Sequence, residues 1–381
     1  MSAVRAVLLA VLIAASCRAQ VDEVRYESAA QRGIQRVYNL EFGEAEQEFR
    51  SMIAMAPQRP AGHFMLAMVT WWRILIDIDD DRYDDQFLED LDHVVAMCDS
   101  ILDIDEQDVG AVFFKGGAIG FQGRLRFHRN DYLAAADAGR RALPLVQIAA
   151  ELAPENYDIL LGSGIYNYYA DVIPREYPFL KPLLLFVPPG DRDKGIGQLT
   201  QAAERGQYAS IEASYFLMQV YFFYERDYGK ALAIARRLHE RFPNNMQFHR
   251  YLGRCYVSLA SWDSAALVFG EIARRTAAGQ RGYTPTIERE AVYYLGQEAF
   301  NRREHQEALQ HFYRCDQLCR MLDRDGPSGF MVNANLKVGA IYDLQGKRDL
   351  AILQYRKVLE MDEYRDSHEQ AERYLTQPYK E

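Results

Sequence analysis

Residues 252–269 read LGRCYVSLASWDSAALVF, and this stretch decides the fold because its pattern is repeated along the chain. Gly253 is followed 12 residues later by Ala265 and 16 residues later by Phe269. The same offsets recur twice at a step of 43 residues, in the sets Gly296, Ala308, Phe312 and Gly339, Ala351, Tyr355. A fixed period of this length indicates a stack of copied structural units rather than one globule with a single core.

Each copy of the pattern predicts two helices joined by a short turn. Leu252 and Tyr256 stand four residues apart and share one face of a first helix, and Ala265 and Phe269 do the same on a second helix. The small residues Gly253 and Ala265 suit the positions at which the two helices approach most closely. The stretch therefore predicts a helical hairpin whose large aromatic side chains fill the space around small residues.

This hairpin resembles the tetratricopeptide repeat, a helix–turn–helix unit of about 34 residues. Upstream segments resemble the second half of the same motif, with the residues Phe42, Ala45, Phe49, Pro57, then Ala142, Ala149, Pro154, then Tyr228, Ala231, Pro243. The resemblance implies an all-α fold, a right-handed TPR-like α-solenoid of about seven helix–turn–helix pairs that ends in a capping helix near Ser367–Leu375. It also implies a non-enzymatic scaffold or adaptor that binds a protein or peptide in a concave groove.

A proline-rich apolar stretch interrupts the repeats at residues 174–192. It holds five prolines, which exclude a regular helix. Because insertions in repeat proteins often mark the binding face, we predict a partner site here and in the aromatic cluster before it; packing of the insertion onto the solenoid is the alternative. The predicted partner-binding residues are Tyr166, Asn167, Tyr168, Tyr169, Phe179, Leu183, Phe186, Asp191 and Arg192.

A second resemblance covers the centre of the chain. The stretches Gly164–Asn167, Gly190–Arg192 and Gly195–Leu199 are similar to the central region of the inclusion-body-clearance type of tetratricopeptide proteins. This similarity implies a shared architecture. Together with the N-terminal segment described next, it implies an exported bacterial member of the superfamily.

The N-terminal 19 residues are typical of a secretory signal peptide. Arg5 precedes the apolar run Ala6–Ala15, and small residues precede a cleavage point after Ala19. The prediction is an exported protein of the cell envelope, in the periplasm or associated with the outer membrane. Ala14–Cys17 also approximates a lipobox, so lipidation of Cys17 remains an alternative. The predicted organisation is a signal peptide (1–19), N-terminal repeats (20–173), the insertion (174–192), and C-terminal repeats with the capping helix (193–381).

The net charge of the chain indicates which class of partner it can bind. The net charge is −10, and removal of the two arginines of residues 1–19 would take it to −12. Without a basic stripe, this balance argues against nucleic acid as a partner. A protein or peptide partner is therefore predicted. The alternative is a peripheral membrane or lipid-binding lipoprotein that uses the apolar segment 179–186 and an acylated Cys17.

No motif predicts catalysis, a cofactor or a metal. His311, Cys315 and Cys319 are zinc-ligand types on one helix stripe, but the outer two lie about 12 Å apart at 1.5 Å per residue and cannot converge on one ion. A zinc site completed by another helix and a Cys315–Cys319 disulfide remain alternatives. Asp77–Asp81 begins like a calcium loop, but Arg82 stands where such a loop requires glycine.

Overall fold

The computed structural model describes residues 22–181, 188–324 and 326–380, and it describes only the backbone of Leu180. Within these ranges the chain forms 17 α-helices and no strand. The chain divides into two compact units, the first ending at Asp227 and the second comprising Tyr228–Glu381. The predicted all-α fold built from helix–turn–helix pairs is confirmed for the described residues.

The first unit contains four helix–turn–helix pairs. They are α1 (22–38) with α2 (Phe42–Met55), α3 (Pro60–Ile76) with α4 (Asp84–Leu102), α5 (Val109–His128) with α6 (Tyr132–Leu152), and α7 (Ile159–Glu176) with α8 (Arg192–Arg205). A further helix, α9 (Ser210–Gln219), runs into one turn of π-helix at Val220–Tyr224. The proline-rich insertion therefore lies inside the first unit, between the two helices of its fourth pair.

The second unit contains three more pairs flanked by single helices. It begins with α10 (Tyr228–Arg241), continues with α11 (Met246–Ser258) and α12 (Trp262–Ala277), α13 (Pro285–Asn301) and α14 (His305–Leu322), α15 (Gly329–Leu344) and α16 (Arg348–Leu359), and ends with α17 (Ser367–Thr376). The pairs within the two units add up to the seven that the repeat pattern predicts. The predicted terminal helix is present as α17, whose Ala371 is buried in the cluster around Tyr355.

The repeated glycines lie where the two helices of a pair touch. A Cβ atom placed on Gly253 would stand 2.7 Å from the ring of Phe269, which is closer than side-chain atoms tolerate. Equivalent distances in the other pairs are 2.9 Å from Gly296 to Phe312, 2.5 Å from Gly339 to Tyr355, and 2.3 Å from Gly33 to Phe49. In these four pairs, the 16-residue offset in the sequence is therefore the contact between the first and the second helix.

Replacing Gly253 with alanine is expected to destabilise the protein, whereas replacing Gly270 is not. The methyl group at position 253 would overpack the Phe269 contact at a cost of about 1–3 kcal/mol, which exceeds the gain in helix propensity. Gly270 lies within α12 with open space around it, so alanine there should add about 0.5–1 kcal/mol of stability. Urea unfolding of both variants tests this; equal shifts would contradict it.

The first unit closes on itself through contacts between its first and last helices. The Tyr38 hydroxyl on α1 donates a hydrogen bond to Glu212 Oε2 on α9 at 3.1 Å, across a separation of 174 residues. Gln31 Nε2 on α1 donates to the carbonyl oxygen of Gln207 in the α8–α9 turn at 3.0 Å. The start and the end of this unit are therefore in direct contact.

A buried ion pair and aromatic rings fill the interior of the first unit. Arg124 on α5 donates to Glu212 Oε1 at 2.8 Å, and its guanidinium lies 4.1 Å from the ring centroid of Phe216 and 4.8 Å from that of Trp71. Trp72 contacts the rings of Tyr38 and Tyr215 at 5.0 and 5.5 Å. The helices α1, α3, α5 and α9 thus converge on one core.

Candidate functional site

The insertion is shorter than the sequence predicts. Helix α7 continues through Pro174 to Glu176, and α8 begins at Arg192, so residues 177–191 connect the two helices. The prediction that proline excludes helix from residue 174 onward is wrong because Pro174 falls in the last turn of α7. There its missing N–H removes only one hydrogen bond, and the following turn still closes from the Tyr177 N–H to the Ile173 carbonyl oxygen at 2.8 Å.

The first part of the insertion folds back onto the turn between α5 and α6. Pro178–Leu180 forms a short 3₁₀ turn. The ring of Phe179 lies 6.0 Å from that of Tyr132 and 6.3 Å from that of Tyr177, both in edge-to-face geometry. Tyr132 in turn contacts Phe127 at 5.5 Å. A chain of aromatic contacts therefore joins the insertion to the end of α5 and the start of α6.

The last part of the insertion is held against α7. The Tyr166 hydroxyl donates a hydrogen bond to the carbonyl oxygen of Pro188. Gly190 packs directly on the helix backbone, since a Cβ atom there would stand 2.2 Å from the carbonyl oxygen of Asn167. Asp191 then begins α8 by accepting the Lys194 N–H at 2.9 Å. Both described ends of the insertion are thus fixed to the helices beside them.

Glu225, which the sequence patterns did not mark, joins three elements beneath the insertion. The Tyr168 hydroxyl on α7 donates to Glu225 Oε1 at 2.7 Å, and Arg192 Nε at the start of α8 donates to the same oxygen at 2.8 Å. A second contact joins Arg192 Nη2 to Glu225 Oε2. Glu225 follows the π-helical turn after α9, so this carboxylate couples α7, α8 and that turn.

The predicted aromatic cluster on α7 mainly packs the fold. Tyr168 is fully buried, and burial raises the pKa of its hydroxyl. Asn167 Nδ2 donates to Gln198 Oε1 on α8 at 2.7 Å, and the ring of Tyr169 contacts that of Tyr224 at 5.6 Å. These side chains therefore position the insertion, and Tyr168 has no surface with which to contact a partner in this conformation.

An exposed apolar surface surrounds the first part of the insertion. We name it the insertion surface and define it by Phe127, Leu133, Tyr177 and Phe179. Leu133 is 67% exposed and Phe179 is 64% exposed, and the other two are more than one-third exposed. Exposed charged residues of both signs lie close to its members in the sequence, namely Arg126, Arg175, Glu176 and Lys181. Of the predicted partner residues, Phe179 belongs to this surface, whereas Leu183 and Phe186 lie outside the described residues.

Side chains fill part of the interior of the first unit. Tyr38 on α1 and Arg124 on α5 both donate hydrogen bonds to Glu212 on α9 there. The insertion surface lies outside these contacts, and its side chains are exposed. It therefore offers a partner of this unit an accessible apolar surface.

The zinc alternative finds no support in the part of the chain that the structure describes. Cys315 and Cys319 are buried free thiols, so the proposed disulfide between them is not formed. Ser328 Oγ contacts Cys319 Sγ at 3.5 Å, and His311 lies beside Glu307 at 3.7 Å. No group of three His, Cys, Asp or Glu side chains within residues 22–181, 188–324 and 326–380 is arranged to hold a metal ion.

The two membrane predictions fall partly outside the described residues. The signal-peptide and Cys17 lipidation predictions concern residues 1–19, which the structure does not describe. Among the helices that it does describe, none combines the length and the apolar character needed to cross a bilayer. Attachment through Cys17 or the 179–186 segment stays a prediction.

The chain is similar to solved structures at low sequence identity. No protein-family model and no curated protein sequence matches it. Among solved structures, it is similar to yeast Tom70 (11% identity, 90% of this chain and 86% of that chain, TM-score 0.38). It is also similar to a human IFIT1 dimer with m7Gppp-AAAA (12%, 92% and 84%, TM-score 0.43) and to TTC0263, a thermophilic TPR protein of Thermus thermophilus (16%, 62% and 99%, TM-score 0.36).

Proposed function

We propose that this protein is a non-enzymatic scaffold of the cell envelope that binds a protein partner through the insertion surface. The observation that carries the proposal is the exposure of Phe179 on a segment whose described ends are held by Tyr132, Tyr166 and Gly190. Leu133, at the start of α6, is exposed as well. Exposed aromatic side chains with a charged rim are typical of protein interfaces, and a fixed segment loses little conformational entropy on binding.

The strongly shifted titratable groups support a scaffold rather than an enzyme. Two arginines hold the pKa of the buried Glu290 at about 2, and burial lowers the pKa of His249 to about 3. Burial also raises the pKa of the Cys98 and Cys255 thiols to about 12. Each of these groups is enclosed by the side chains of its own unit, whereas a catalytic group must meet its substrate in a cleft.

The choice of a protein partner in the envelope rests on charge and on the N-terminal sequence. A net charge of −10 repels nucleic acid, while the mixed charges around the insertion surface suit a protein. Residues 1–19 support export. The mass of the N-terminus of the purified protein tests this: a chain beginning at Gln20 or an acylated Cys17 supports export, and an uncleaved Met1 in a cytoplasmic fraction contradicts it.

Site-specific photocrosslinking in cells is the direct test of the binding surface. A photoreactive residue at position 179 or 133 is expected to capture the same protein in both cases. The control position is Leu267, which is 78% exposed on α12 in the second unit and is expected not to capture that protein.

The captured partner then allows a quantitative test. Phe179→Glu is expected to weaken its affinity by about 2 kcal/mol, or roughly thirtyfold, because aromatic anchors dominate binding energy at interfaces. Leu267→Glu is the matched substitution and should leave the affinity unchanged. Equal effects of the two variants, or capture of the partner only from position 267, would show that the partner does not bind at the insertion surface.

The alternative is a protein that attaches to a membrane surface. The specific observation is that the exposed ring of Phe179 stands close in sequence to the exposed cation of Lys181, a combination that suits a lipid interface. Flotation of the mature protein with liposomes tests it. Flotation that Phe179→Glu abolishes would favour the membrane function, and failure to float with either an acylated or a free N-terminus would remove it.

A further inference from the structure

A cavity of about 420 Å³ lies in the first unit, apart from the insertion surface. It forms where the N-terminal part of α1 meets the starts of α3 and α5 and the turn before α9. Its walls include the side chains of Tyr26, Glu27, Met65, Asp108, Phe114 and Tyr208. This volume falls in the range of about 300–1,000 Å³ that small-molecule sites occupy.

The hydroxyl of Tyr26 is a buried polar group without a complete hydrogen bond among the described residues. Tyr26 is 5% exposed, and within the part of the chain that the structure describes its hydroxyl completes no hydrogen bond. Burial raises the pKa of Tyr26, and a backbone contact from Gly62, which does not reach full hydrogen-bond geometry, opposes that shift. An incompletely hydrogen-bonded buried group costs free energy, and a ligand that donates to the hydroxyl oxygen would reduce that cost.

The charges that line the cavity are negative on balance. Glu27 accepts hydrogen bonds from Gln207 Nε2 at 2.9 Å and from the Tyr208 hydroxyl. Asp108 accepts the Ala111 N–H at 2.7 Å. These donors are neutral, and neither carboxylate takes part in an ion pair among the described residues. The one cation in the described lining, Arg59, is already paired with Glu23 at 2.9 Å.

The apolar walls also favour a cation. Three of the lining residues, Tyr26, Phe114 and Tyr208, are aromatic, and the face of an aromatic ring attracts a positive charge. The Arg59 guanidinium already lies 5.0 Å from the ring centroid of Tyr26 at one side of the cavity. Met52, Met65 and Ile101 supply flexible apolar contact for an alkyl chain.

We propose that this cavity binds a primary ammonium group carried on a short apolar chain. The ammonium would donate to the Tyr26 hydroxyl and interact with the carboxylate of Glu27, while its alkyl chain contacts the methionine and aromatic side chains. A lysine side chain of a peptide and a free alkylamine share this chemistry. The site is independent of the insertion surface and does not rest on the proposed scaffold function.

Calorimetry with three matched probes tests the proposal on the full protein. Pentylamine, pentanol and pentanoate each contain five carbons and carry a cationic, a neutral and an anionic polar group, respectively. Pentylamine is expected to bind at least about tenfold more tightly than pentanol, because a charge-assisted hydrogen bond contributes more than a neutral one. Tighter binding of pentanoate, or no binding of pentylamine at millimolar concentration, would overturn the proposal.

Substitutions separate binding from folding. Glu27→Gln and the cavity-filling Ala61→Phe are each expected to weaken pentylamine binding by about tenfold or more, and Glu44→Gln on the exposed side of α2 is the control. Tyr26→Phe should weaken binding without lowering the melting temperature, because the hydroxyl has no partner to lose among the described residues. Pentylamine binding that all these variants leave unchanged would contradict the site.

A peptide probe distinguishes the two sources of the ligand. The probe is acetyl-Gly-Lys-Gly-amide, and its control carries norleucine in place of lysine. Binding of the lysine peptide at least as tight as that of pentylamine would identify a basic side chain as the ligand. Binding of pentylamine alone would identify a free amine, and both results retain the ammonium site.

Discussion

Replacing Glu290 with glutamine is expected to lower the free energy of unfolding of the second unit by about 3–5 kcal/mol. The carboxylate is 1% exposed on α13 and accepts hydrogen bonds from Arg250 Nε at 2.5 Å and Arg254 Nη2 at 2.8 Å, both on α11. Its removal would leave two arginines with no counter-charge in a buried site, and an uncompensated buried charge is strongly destabilising.

The control for this prediction lies on the same helix. Glu288 pairs with Arg314 at 2.8 Å, but the arginine side chain is 48% exposed, so Glu288→Gln is expected to cost less than about 1 kcal/mol. Hydrogen exchange of the α11 and α13 amides, measured by mass spectrometry, reports the stability of this unit by itself. Similar losses of protection in the two variants would contradict a special role for Glu290.

The ionisation of Glu290 is expected to make the stability of the second unit depend on pH. The pKa of Glu290 is lowered from 4.5 to about 2, chiefly because the charges of Arg250 and Arg254 outweigh the cost of burial. The group therefore contributes stability that is fully present above pH 4.5 and is lost as the pH falls through 2. The stability difference between the unsubstituted protein and Glu290→Gln should stay constant from about pH 7 to pH 5 and shrink below about pH 4.5; a difference that grows on acidification would contradict this assignment.

Replacing Arg124 with methionine is expected to destabilise the first unit by about 3–5 kcal/mol. Methionine retains the apolar contact with Trp71 and Phe216. Glu212, which is 6% exposed, would then keep the neutral hydroxyl of Tyr38 as its one side-chain donor among the residues that the structure describes. Because Glu212 joins α9 to both α1 and α5, the loss should appear as faster hydrogen exchange in all three helices.

Two further variants make this prediction specific. The double variant Arg124→Met with Glu212→Gln removes both charges, so it is expected to be more stable than Arg124→Met alone. Arg126→Met changes an exposed arginine two residues away on α5 and should stay within about 0.5 kcal/mol of the unsubstituted protein. If the double variant were less stable than both single variants, Arg124→Met and Arg126→Met, loss of the buried ion pair would not explain the destabilisation.

The repeat pattern predicted the helix pairs because the contacts that make a pair are local. Gly253 touches Phe269 across one short turn, and the same contact recurs at Gly296 and Gly339. Both members of each contact lie in one hairpin, so their spacing in the sequence is the geometry of the pair. The length of α7 was not predictable in this way. A proline can stop a helix or lie within its last turn, and the sequence pattern does not distinguish these two cases.

The candidate site was predicted only in part. The pattern marked Phe179, which is exposed, but it also marked Tyr168, which is buried against Glu225. Nothing in the sequence near Glu225 indicates that its carboxylate accepts hydrogen bonds from Tyr168 and Arg192, which lie more than 30 residues away in the sequence. A buried acceptor of this kind becomes visible only when the helices are packed together.

The local pattern in the sequence was enough to predict the helix pairs that contain Gly33, Gly253, Gly296 and Gly339, since a glycine, an alanine and an aromatic residue at offsets of 12 and 16 specify one hairpin. The closure of the first unit, in which α1 contacts α9 and the turn before it, follows from tertiary packing alone. The contact between Tyr38 and Glu212 spans 174 residues. This contact forms only if the rotations between four successive helix pairs add up to closure. Each rotation is set by the packing angle of one pair on the next, so no local spacing in the sequence encodes their sum.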